Sequence, residues 1–153
     1  MGERKSNKAI ALPLSHKCAK RHDVNLTAQL KLRPTPDQHD FLLATLEEAN
    51  AACNWISQEA FREGVFGQFS LHKFVYHPAR ERFTLSAQMV VRAIAKVADA
   101  YRISKKKQRG FQQHGAFPYD RRILSFRLDT REVSVWTVAG RQRVPFVCSA
   151  RAF

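Results

Sequence analysis

Carboxylates are scarce in this chain, with 13 Asp and Glu against 26 Lys and Arg in 153 residues. Most of the acids have local roles: Glu47 and Glu48 fall on a predicted helix, Asp129 in a turn, Glu132 at a strand start, and Asp120 stands among Tyr119, Arg121 and Arg122. A metal-dependent nuclease needs several carboxylates converging on one site, and no such set assembles here. Cysteine is equally sparse. Cys18, Cys53 and Cys148 are odd in number and widely spaced, which excludes a disulfide framework and suits a reduced cytosol. His16, Cys18 and His22 have no second cysteine pair beside them, so no zinc site is expected. Missing too are GxGxxG, a phosphate loop and HExxH, leaving no cofactor and no catalytic constellation to assign. No apolar run approaches a transmembrane length, and neither a signal peptide nor a lipidation site is visible. A cytoplasmic chain with no membrane partner is therefore expected.

What the chain has in excess is positive charge. The formal net charge is +13 and the pI about 10.3, more than solubility requires, and the basic clusters sit on several separate segments. Such a chain is built to meet polyanions. Residues 1–23 form a basic, weakly patterned arm, in which Arg4, Lys5, Lys8, Lys17, Lys20 and Arg21 face only Glu3 and Asp23. An arm of this kind is expected to be flexible and to release counterions on a phosphate backbone.

Two distant stretches carry strand periodicity. Over 24–33, Val24, Leu26, Ala28, Leu30 and Leu32 alternate with Asn25, Thr27, Gln29, Lys31 and Arg33. Over Tyr119–Phe146 three short alternating runs read as an antiparallel meander. Leu124, Phe126 and Leu128 are expected on its buried face, Asp129 and Thr130 in a turn, Val133–Val138 as a β-branched strand, and Gly140 at a hairpin. Pro145 places the last run at a sheet edge. One apolar face of a three-stranded sheet needs cover, and the first strand is the best partner in the chain. The expected fold is α+β, a split antiparallel β-barrel with a helical insertion: first strand 24–33, insertion 34–114, and a meander over 115–153 that completes the β domain.

Helix signals fill the insertion. Thr35, Pro36, Asp37 and Gln38 supply a capping hydroxyl, a proline at the first helical position, an acid at the positive dipole end and the Gln of a capping box. Leu42, Leu46, Ala49, Cys53, Ile56 and Ala60 follow at helical spacing until Gly64. Cys53 reads as core, and Asn54 as a hydrogen bond to a neighbouring element. Ser70 is expected to cap a short helix that Pro78 ends. Thr84–Ser86 introduces another long helix with Val90, Ile94, Val97 and Tyr101 inside.

Cations on these elements define the candidate contacts. Tyr76 lies in a segment that mixes rings with His72, Lys73, Arg80 and Arg82, the mixture used for stacking and phosphate contacts. Arg92 and Lys96 occupy the outer face of the second long helix, which runs into Lys105, Lys106, Lys107 and Arg109. This block exceeds what the helix dipole requires. Arg121 and Arg122 at the start of the meander, with Arg141 on its last run, complete the set. Arg92, Lys96, the Lys105–Arg109 run, Arg121 and Arg122 are expected to border one cleft between helices and sheet.

Three pieces resemble the N-terminal half of the TnpB or OrfB proteins of insertion sequences and the related compact type V CRISPR effectors. They are LKLRPTPDQHDFLLATLEEANAACNWIS, with Asn54 where the family carries an asparagine, LSAQMVVRAIAKVADAYR, and PYDRRILSF followed by VSVWTVAGRQRVPF. They span about Val24 to Cys148 in the family's order and spacing. The resemblance implies a wedge-type β-barrel with a helical recognition insertion that binds a guide RNA and reads a short motif beside a DNA target. At Val91 relatives often have a glutamine that touches the target-adjacent DNA, and Gln88, one turn earlier, is the candidate contact here. The family's nuclease domain follows the second β-segment and is expected to be absent. The expectation is a nucleic-acid binder that is not an enzyme by itself. The alternatives are one subunit of a split endonuclease, with its catalytic half on a separate polypeptide, and a truncated remnant without function.

Overall fold

The structure, a computed structural model, describes residues 29–148. The chain runs β1 (Leu30–Leu32), α1 (Pro36–Glu63), α2 (Gln68–Arg82), α3 (Ala87–Ile103), β2 (Leu124–Arg127), β3 (Glu132–Thr137) and β4 (Gly140–Cys148). The four strands form one antiparallel sheet in the order β1-β4-β3-β2. Leu30 lies opposite Cys148 and Leu32 opposite Phe146, so the strand ahead of the helices joins the meander behind them. The sheet is open among the described residues, with β1 and β2 as its edges. β1 covers three residues of the expected 24–33; residues 24–28, the basic arm and its histidines lie outside the described residues.

Local chemistry sets the helix boundaries. Thr35 Oγ1 accepts from the Gln38 amide (3.3 Å) while Gln38 Oε1 accepts from the Thr35 amide (3.1 Å), with Pro36 in the first turn. Gly64 ends α1 at φ 66°, a left-handed conformation that glycine adopts without steric cost. Ser86 caps α3 by accepting from the Met89 amide (3.4 Å). Val90, Ile94, Val97 and Tyr101 on its inner face are fully buried against Ala49, Cys53, Ile56 and Ala60 of α1 and Leu71, Val75 and Ala79 of α2. Each large side chain so buried contributes roughly 1.5–3 kcal/mol.

α2 departs from expectation at both ends. It begins at Gln68, with Gly67 at the cap position and Ser70 already inside, and it runs through Pro78 to Arg82. Pro78 lacks the amide hydrogen for a bond to Phe74, but that turn faces outward, Phe74 being 40% exposed. The buried series Leu71, Val75, Ala79 carries the helix across it.

The sheet uses both faces. Val133, Val135, Val144 and Phe146 form one core with Leu30, Leu42, Tyr119 and Leu124, which brings the start of α1 onto that face. On the other side Ile123 is buried in the helical core, joined there by Trp136 and Val138. The expected buried row on β2 is corrected accordingly. Leu124 is half-buried, but Phe126 and Leu128 are 53% and 60% exposed, because β2 is an edge strand beyond the reach of α1. Pro145 also departs from expectation, since β4 is an inner strand. Its carbonyl accepts from the Arg33 amide (2.8 Å), and the hydrogen it lacks is missed only beyond the end of β1.

Candidate nucleic-acid interface

A tight turn between the helices and β2 organises the first group of cations. The Ile123 and Leu124 amides both donate to the Asp120 carbonyl (3.1 and 2.9 Å), and Ile123 is anchored in the core. This leaves Arg121 and Arg122 exposed at the surface. The Asp120 side chain accepts from Gln88 Nε2 (2.5 Å) and from the Arg122 amide (2.9 Å), while Gln88 Oε1 accepts from Arg122 Nη1 (3.1 Å). Arg141, across the sheet, donates through Nη2 to the Arg122 carbonyl (2.8 Å) and through Nη1 to Ser134 Oγ (3.2 Å), its guanidinium 5.5 Å from the centre of the Trp136 ring. Arg92 Nε reaches the Pro118 carbonyl at 3.4 Å. Gln88, Arg92, Arg122 and Arg141 therefore meet where α3 joins the meander, with Arg121 exposed beside Arg122 in the chain.

The electrostatics follow from that geometry. Desolvation, the largest single influence on Asp120, pushes its carboxyl up. The Arg122 amide, the Gln88 amide and the Arg92 and Arg122 charges together outweigh it and hold the group below its ordinary value of 3.8. Asp120 is thus an ionised clamp rather than a proton carrier. Each guanidinium has five donors, and those of Arg92, Arg122 and Arg141 use one or two in the internal bonds. Arg121, Arg122 and Arg141 are exposed, and a guanidinium with donors to spare suits phosphate oxygens.

The other predicted contacts are distributed elsewhere. Lys96 donates to Asn50 Oδ1 (2.7 Å) and to the Ala116 carbonyl (2.8 Å), with its ammonium 4.9 Å from the Phe111 ring centre and 5.8 Å from that of Phe117. It holds the 111–117 connection onto the helices. Arg109 places Nε and Nη2 on the Ser104 carbonyl (3.1 and 2.9 Å), closing the loop after α3. Lys105, Lys106 and Lys107 are exposed on that loop. Tyr76 packs against the helical core and stacks on His72 at 4.7 Å. The cations therefore divide into two zones at opposite ends of α3, about 20 Å apart at 1.5 Å per helical residue.

Sequence reasoning missed Asn50. Fully buried, it donates to the Leu46, Gln113 and Gly115 carbonyls (3.0, 3.0 and 2.8 Å) and accepts from Lys96. Asn54, one turn on, exchanges bonds with the Phe111 carbonyl (2.9 Å) and amide (2.7 Å), the cross-element role expected of it. The small residues Ala49, Ala51 and Ala52 around Asn50 hint at burial, but its partners Gln113 and Gly115 lie more than sixty residues away and Lys96 forty-six.

Other chemistry is limited. A shallow groove of about 630 Å³ between α1 and the 111–113 segment is lined by Glu47 and Glu48, the wrong sign for a phosphate. Both carboxylates are engaged, Glu47 with His114 Nε2 (2.8 Å) and Glu48 with the Thr84 amide (2.8 Å). Burial pushes the Cys53 thiol up to about 12, against a smaller opposing pull from Lys96, so it is a poor nucleophile. Among the described residues no three His, Cys, Asp or Glu side chains are grouped to hold a metal ion, and no helix is long and apolar enough to cross a membrane. No family model matches this chain, and no curated protein and no solved structure matches it.

Proposed function

We propose that this chain binds nucleic acid, as the wedge and recognition part of a TnpB-type protein that holds a guide RNA and a DNA target with its adjacent motif in the cytoplasm. In this reading the four-stranded sheet is part of a wedge-type barrel and the three helices are the recognition insertion. The observation that carries the proposal is the arginine cluster on the Gln88–Asp120 clamp. Arg92, Arg122 and Arg141 converge from a helix, a turn and a strand, with Arg121 exposed next to Arg122, and the backbone around them is fixed by hydrogen bonds. Pre-positioned guanidiniums at the junction of two layers suit a phosphate backbone lying across it, giving affinity without sequence choice.

The test is fluorescence anisotropy of labelled RNA and duplex DNA over a salt series with the triple variant Arg121→Ala, Arg122→Ala, Arg141→Ala. Each lost phosphate contact flattens the log–log salt slope by about 0.7–0.9, so the triple is expected to flatten it by about 2–3 on both ligands. An unchanged slope in a folded triple variant sinks the proposal.

A further inference from the structure

At the far end of α3 from the arginine cluster, large apolar side chains stand in solvent beside unneutralised lysines. Phe66, in the α1–α2 connection, packs its ring on Tyr101 at 4.6 Å between centres, which ties that connection to the last turn of α3. Lys105 Nζ lies 5.6 Å from the centre of the Phe66 ring. Phe69, three residues after Phe66, is 87% exposed, and Ile103, two after Tyr101, is 84% exposed. Single exposed apolar residues are ordinary, but here two of the most exposed bracket one aromatic contact. The nearby acids of the same helix ends have local partners: Glu59 and Glu63 hold Arg62 (2.5 and 2.9 Å), and Asp99 holds Arg102 (3.3 Å). Lys105, Lys106 and Lys107 are left without a described carboxylate partner.

We propose that this end of the bundle is a second nucleic-acid site that takes a single strand, with Phe69 stacking on an unpaired base and Lys105–Lys107 meeting the phosphates beside it. The inference rests on the nucleic-acid reading above and adds the class of ligand and the place. An open ring one turn from Phe66, against which Lys105 rests, asks for a partner that offers a flat π surface and negative charge within one residue's length, and a polynucleotide does so. A duplex hides its bases and leaves Phe69 with nothing to stack on. A second copy of a chain with net charge +13 brings like charge to the lysines. Phe69 and Ile103 alone offer far less area than the about 800 Å² per partner of a stable protein interface.

The experiment compares the full chain with Phe69→Ala, Phe69→Trp and Ile103→Ala on four labelled ligands of equal length: single-stranded RNA, single-stranded DNA, an abasic DNA strand and duplex DNA. Phe69 is almost wholly in water, so Phe69→Ala is expected to keep the wild-type melting temperature. It is expected to weaken both single strands about five-fold or more, in line with loss of one base–aromatic stack, and to leave the abasic strand and the duplex unchanged. Phe69→Trp is expected to keep single-strand affinity, and Ile103→Ala to lose less than Phe69→Ala. Equal losses on all four ligands, or no loss on single strands, overturn the site while leaving the arginine cluster standing. A wild-type chain that binds none of the four overturns both readings. A substitution at Phe69 that instead abolishes self-association in sedimentation, or binding to anionic vesicles, assigns the patch to a second copy or to a lipid surface and also overturns it.

Discussion

Asn50 and Lys96 show how a polar pair inside a helical core serves a connection outside it. Among the described residues the ammonium of Lys96 reaches one side-chain acceptor, Asn50 Oδ1, and the amide of Asn50 satisfies two carbonyls of the 113–115 segment. Asn50→Ala removes all of these at once and leaves a half-buried cation short of a partner. It is expected to cost about 2–4 kcal/mol in urea unfolding, and less in a Lys96→Met background, where the stranded charge is gone. Strict additivity of the two changes would show that they do not act as a pair. Neither residue's role was legible in the sequence. Lys96 sits among outward cations on α3 and reads as one of them, and only the course of the 111–117 segment, drawn over it by Phe111 and Phe117, turns it inward. Arg109 is a similar case, its charge spent on Ser104 one turn back.

At the level of the elements, what could be read from sequence is what neighbouring residues decide among themselves. The capping box at Thr35 and Gln38, the stop at Gly64, the cap at Ser86 and the α3 stripe all involve partners within four residues. The turn at Val138–Ala139 before Gly140, whose φ is 90°, belongs to the same class. Pro78 was misread because proline's effect depends on whether the carbonyl it abandons faces water, and that is a tertiary property. The same fact yields a prediction. Proline in a helix interior is about 3 kcal/mol worse than alanine in propensity, offset by up to about 1 kcal/mol from the stiffer unfolded chain. Pro78 is exposed, so Pro78→Ala introduces no clash and is expected to raise stability by about 2–3 kcal/mol, read as a higher melting temperature. A lower one would mean that the proline shapes α2 to fit the core. The faces of the meander were half legible: the period of β2 was right, but which side is covered depends on where α1 crosses the sheet.

For the whole molecule, two cationic zones rather than one cleft make the binding behaviour separable. Lys105→Ala, Lys106→Ala and Lys107→Ala together remove three exposed charges about 20 Å from the arginine cluster by helix rise, and the fold is expected to survive unchanged. Binding of RNA and DNA should weaken together, with the salt slope flattened by up to about 2–3. The control is the matched triple Arg4→Ala, Lys5→Ala, Lys8→Ala in the N-terminal arm. Loss confined to the lysine set places the polyanion against the end of α3. Equal losses from both sets would mean that affinity follows total charge and that the end of α3 is not a site.

The pairing of β1 with β4 also sets a timetable for synthesis. Leu32 must wait for Phe146, about 110 residues later in the chain, which at roughly 5–20 residues per second is on the order of 5–20 s of translation. Throughout that interval the helices can already condense around α3, because their contacts are closer in sequence, while the first strand emerges with no sheet to join. A nascent chain in this state exposes Leu30 and Leu32 as a ready template for a neighbour on the same message. The Pro145 ring, which denies β1 a longer pairing, also limits how far a wrong strand can zip along β4 once it emerges.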